Sequence, residues 1–62
     1  MQRSLKGIRF DLGLTQAQMA ERLGISELSY RNKEMYRTGL TAKELIKISI
    51  LANIDPMEVK LD

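Results

Sequence analysis

The chain has 62 residues, 44% hydrophobic and 29% charged, a balance that fits a packed domain and argues against disorder. Cysteine and histidine are both absent, which excludes a disulfide framework, a zinc finger and any His- or Cys-based catalytic centre, so the core must come from helix packing. Ten Lys and Arg against eight Asp and Glu leave a formal net charge of +2, a weak pointer to any partner. The length allows one domain, over 1–62, near the lower limit for a self-sufficient core, since such a chain hides only about 60% of its unfolded surface. The apolar runs are too short to cross a bilayer, and Met1-Gln2-Arg3-Ser4 leads into an amphipathic pattern rather than a signal-peptide core. A cytoplasmic protein with no membrane partner is the expectation.

Leu5, Ile8 and Leu12 recur at helical spacing and predict a first helix from about Gln2 to Leu12, stopped at Gly13. Three later stretches share one grammar, a capping oxygen followed three residues on by Glu or Gln: Thr15 to Gln18, Thr41 to Glu44, and Asp55 to Glu58. The first opens a second helix, Gln16 to Leu23, with Met19, Ala20 and Leu23 inward and Gly24 as its stop. Ser26 caps a third, which carries Tyr30 and Glu34 on one side and runs to Tyr36. A loop over Arg37 to Leu40 precedes a fourth, which Thr41 opens with Leu45, Ile48, Ser49 and Ala52 inward. Asp55, with Pro56 at the first helical position, opens a short fifth that packs Val59. No strand pattern or internal repeat is visible, so the predicted fold is all-α, with five short helices.

The second and third helices, joined through Leu23-Gly24-Ile25-Ser26, are the informative unit. Ala20 lets the helices cross closely, Gly24 turns the chain, and Ile25 plugs the angle between them. That arrangement holds the third helix out from the body, with one face free to enter a groove about 12 Å wide. An ordinary helical hairpin in a small bundle would show the same spacing.

Leu14-Thr15-Gln16, then Met19-Ala20-Glu21-Arg22-Leu23-Gly24-Ile25-Ser26, then Tyr30-Arg31-Asn32-Lys33-Glu34, resemble in order and spacing the phage-repressor and Cro-like helix-turn-helix domains of the XRE family. Thr41 to Val59 is similar to that family's closing helices, so the resemblance covers nearly the whole chain. It implies a compact five-helix lambda-repressor-like domain whose third helix reads DNA. It also implies a buried ion pair between Arg9 and Glu34. Two positions depart from the pattern. Tyr36 stands where the family usually has glycine, and Lys33 where an apolar residue is common; the Lys33 stem is expected to cover the core while its ammonium reaches solvent.

On the third helix, Glu27, Leu28, Arg31 and Asn32 are expected to face outward and read bases. Leu28 suits a thymine methyl, Asn32 pairs with adenine, Glu27 accepts from a cytosine amino group, and Arg31 reaches guanine or phosphate. Scattered surface hydrophobicity explains Leu28 equally well without the resemblance, and a first-turn acid favouring the helix dipole is the better reading of Glu27 alone. By resemblance Gln16 anchors the DNA backbone, with Ser29, Arg37, Thr38 and Lys43 as further phosphate contacts. A solvated surface charge competes with each cationic one.

Ile46 with Ile50, and Met57 with Leu61, are apolar pairs four apart that one inward stripe does not use. They complete a small core or, as the family suggests, form a homodimer, in solution or only on DNA. The function implied is binding of a double-stranded DNA operator by a phage or mobile-element repressor or Cro-like regulator, in a bacterial or phage-infected cell. A protein-interaction module such as an antitoxin or adaptor on the same fold stays open. No metal, cofactor, small-molecule substrate or enzymatic activity is expected.

Overall fold

The structure, a computed structural model, describes residues 2–62; Met1, the first residue of the expected domain span, lies outside the described residues. Four α-helices follow one another: α1 (Leu5–Leu12), α2 (Gln16–Leu23), α3 (Glu27–Glu34) and α4 (Ala42–Ala52). Each begins at a hydroxyl cap. Ser4 accepts from the Gly7 N–H at 3.0 Å and Ser26 from Ser29 at 3.1 Å, while Thr15 with Gln18 and Thr41 with Glu44 close full capping boxes. Gly13 and Gly24 end α1 and α2 at φ 71° and 72°, a left-handed conformation that any Cβ would strain.

Three boundaries differ from the sequence expectation, and one interaction accounts for two of them. The predicted fifth helix is a single 3-10 turn, Pro56–Glu58, so the described residues hold four α-helices rather than five. The capping box at Asp55 does form, but the chain then extends at Val59 and makes a parallel bridge with Arg3. Arg3 N–H donates to Glu58 C=O at 2.6 Å, and Lys60 N–H donates to Arg3 C=O at 2.8 Å. The same pairing holds residues 2–4 out of helical conformation, so α1 starts at Leu5 rather than Gln2. The third correction is at α3, which ends at Glu34, two residues before Tyr36. Met35 caps it, and Tyr36 adopts φ 59°, the left-handed geometry that glycine would take more cheaply.

The core draws on every helix and on the closing bridge: Leu5 and Ile8 from α1, Met19, Ala20 and Leu23 from α2, Tyr30 from α3, Ile48 from α4, and Val59. Burying each large apolar side chain is worth roughly 1.5–3 kcal/mol, so a core this small leaves little stability to spare. On α4 the buried residues are Glu44, Ile48 and Ser49, whereas Leu45 and Ala52, expected inward, are only half-buried against that core. No helix among the described residues is long and apolar enough to cross a membrane.

Candidate nucleic-acid interface

The face that sequence reasoning singles out lies on α3, and its presentation starts with Tyr30. That ring is fully buried, which fixes the rotation of α3 and turns positions 27, 28 and 31 away from the core. Glu27, Leu28, Ser29 and Arg31 are exposed, and Leu28 keeps 65% of its surface open. Asn32 is half-buried, less open than expected. Arg31 and Glu27, one turn apart, make a solvent-facing ion pair at 3.2 Å, which shares the guanidinium between that carboxylate and anything that approaches the face.

Two adjacent charged residues pin the other end of α3. Glu34 accepts from Arg9 of α1 through two bonds, from Nε at 2.8 Å and from Nη2 at 3.2 Å. It also accepts from the Tyr30 hydroxyl at 2.6 Å and from the Gln16 side-chain amide of α2 at 3.2 Å, so one carboxylate ties three helices together. Burial by itself would raise the Glu34 carboxyl, but the bonds from Arg9, Tyr30 and Gln16 outweigh it and hold the group below the ordinary carboxylate value. The same cluster raises Arg9, mainly through its bond to Glu34, and burial followed by the Glu34 bond pushes the Tyr30 phenol up. All three therefore keep their charge states at neutral pH.

Lys33 points the other way. Its ammonium does not reach solvent as expected; it donates to Glu44 Oε1 and to the Gly39 carbonyl, each at 3.0 Å, and so joins α3 to the start of α4. The Glu44 carboxyl, which burial would raise, is held low by the Thr41 N–H and by Lys33. A half-buried ammonium is tolerated because a carboxylate and a carbonyl both take its protons.

The proposed phosphate residues fall into two groups. Ser29 on α3, Arg37 and Thr38 after it and Lys43 in the first turn of α4 are exposed. Gln16 is half-buried and its side-chain amide donates to Glu34, while its backbone N–H, in the first turn of α2, has no acceptor within the helix. Sequence reasoning missed the Lys33–Glu44 tie and the engagement of Gln16. Both needed knowledge of which helix ends meet, although a lysine at an otherwise apolar position was a cue that a carboxylate had to lie opposite.

A helix-turn-helix family profile matches residues 5–59, from the first residue of α1 to the end of the closing turn. The chain belongs to the helix-turn-helix family. It is a Cro- and repressor-like domain of the XRE type, in which α2 and α3 form the helix-turn-helix, and the family is one of DNA-binding transcriptional regulators. No curated protein and no solved structure matches the chain. In this helix-turn-helix the turn is Gly24-Ile25: Ile25 N–H returns to the Ala20 carbonyl at 3.0 Å and its side chain packs against the core.

Proposed function

We propose that this chain is a repressor or Cro-like regulator of a phage or mobile element that recognises one double-stranded DNA operator by laying α3 in the major groove. The observation that carries this reading is the asymmetry of α3. Its second half is bound to α1, α2 and α4 through Glu34 and Lys33, while its first half leaves a leucine 65% exposed beside polar side chains. A solvated surface gains nothing from an open Leu28, whereas a thymine methyl in the major groove covers it.

Leu28, Arg31, Asn32 and Glu27 read base edges, with Glu27 leaving Arg31 to accept from a cytosine amino group. Ser29, Arg37, Thr38, Lys43 and the Gln16 backbone N–H hold phosphates on either side. Arg9 and Glu34 position the reader and touch no DNA. A homodimer through Ile46, Ile50, Met57 and Leu61, all exposed, places two α3 helices on half-sites about one helical turn apart.

Selection of bound duplexes from a random pool, repeated with Asn32→Ala, tests the reading. One base pair should lose its preference in the variant; equal weakening for all sequences would move Asn32 to the backbone, and no enriched sequence for the parent would end the proposal. The exposed C-terminal apolar residues also support a second reading, an adaptor that binds a protein. Affinity for random duplex DNA separates the two, because phosphate neutralisation makes it fall steeply with salt and an adaptor has no such dependence.

A further inference from the structure

The reading face extends beyond the four residues already named. Met35 follows the last residue of α3, and although its own φ −88°, ψ 4° has left the helical region, its N–H still donates to the Arg31 carbonyl at 3.1 Å, so its Cα keeps the helical path. At 3.6 residues per turn it therefore projects within about 20° of Leu28, seven positions earlier. Both side chains are open to solvent, Met35 at 55% and Leu28 at 65%, and between them on the same stripe lie Arg31 and Asn32. The other large exposed apolar side chains, such as Phe10, Ile50 and Met57, belong to α1, α4 and the closing turn.

We infer that Met35 is a further specificity-determining residue, which covers a second thymine methyl group in the major groove. This rests on the DNA-reading role of α3. Seven residues of helix span about 10 Å, or about three base-pair steps, so the stripe reads as an apolar contact at each end and hydrogen-bonding groups between. The far end of a reading helix stands further from the groove floor than its start. An unbranched thioether with three rotatable bonds has the reach and adaptability that this needs. The ligand chemistry is the 5-methyl group of a pyrimidine, the one apolar feature of the major-groove edge.

The test replaces each thymine of the selected operator in turn by uracil, which deletes only that methyl. Affinity is then measured for the parent chain, Leu28→Ala and Met35→Ala. The parent should lose about fourfold at two positions roughly three base pairs apart, the worth of one buried methyl at each. Met35→Ala should become insensitive at one of these and Leu28→Ala at the other, with both variants folded because both side chains are exposed. A Met35→Ala profile identical to the parent's overturns the inference while leaving the DNA-binding reading intact. A parent chain that enriches no operator overturns both.

Discussion

Arg9 and Glu34 show how much of this small fold rests on two side chains. Both are largely buried, and they meet through two bonds in the fork geometry that suits guanidinium and carboxylate. Arg9→Met would leave Glu34 buried with only Tyr30 and Gln16 as donors, at a cost of about 3–5 kcal/mol. A chain of this length has about that much stability, so the variant should be largely unfolded at room temperature by circular dichroism; an unchanged melting temperature would show that the pair carries no such weight. Lys33→Met should cost less, because Glu44 keeps the Thr41 N–H at 2.8 Å when the ammonium is gone. The pH dependence follows from the same groups. Glu34 and Glu44 both titrate below their ordinary 4.5 when folded, so their contribution is complete above that value and is lost as pH falls through the lowered folded values. Thermal melts should be level from neutral pH down to about 5 and fall steeply below 4.5; in Glu34→Gln the acid-side fall should be shallower.

At the scale of elements, α2 was legible to the residue, and the cap positions of α2, α3 and α4 were legible too. Capping side chains and left-handed glycines are local signals that need no tertiary partner. The errors fall where distant segments meet. Arg3 and Val59 are 56 positions apart, and their bridge, which no local pattern announces, shortens α1 and stops the fifth helix. Likewise the exposed stripe of α3 followed from periodicity, while the partner of Lys33 depended on where α4 begins. Tyr36 belongs to this class. Its hydroxyl accepts from Leu5 N–H at 3.4 Å and donates to the Lys60 carbonyl at 3.3 Å, linking the end of α3 to the start of α1 and to the segment that follows the bridge. These bonds help to explain a non-glycine residue at φ 59°. Tyr36→Phe keeps the ring and the backbone and removes only the link, and should cost about 1 kcal/mol with faster exchange of the Leu5 amide, which loses its acceptor. Unchanged stability and unchanged exchange at Leu5 would mean that the hydroxyl holds nothing.

For the whole molecule the governing balance is between a net charge of only +2 and a polyanionic ligand. Modest charge implies modest affinity for one half-site, and two linked readers convert weak contacts into a tight one by making the second encounter intramolecular. Ile50 is the place to test this. It is 74% exposed and lines a shallow depression on α2 and α4 with Leu51, Arg22 and Lys47. In an isolated chain a carboxylate there would be solvated and flanked by two cations, so Ile50→Glu should leave the unfolding free energy within about 0.5 kcal/mol of the parent's. Across a dimer interface the same carboxylate would be desolvated against a second copy, at a cost of several kcal/mol. On the proposed homodimer, binding to a single half-site should therefore be unchanged, while occupancy of a two-half-site operator, cooperative for the parent, should become independent binding some tenfold or more weaker. If Ile50→Glu occupies the paired site as cooperatively as the parent, the C-terminal apolar surface does not join two copies, and the proposed dimer through Ile50 falls.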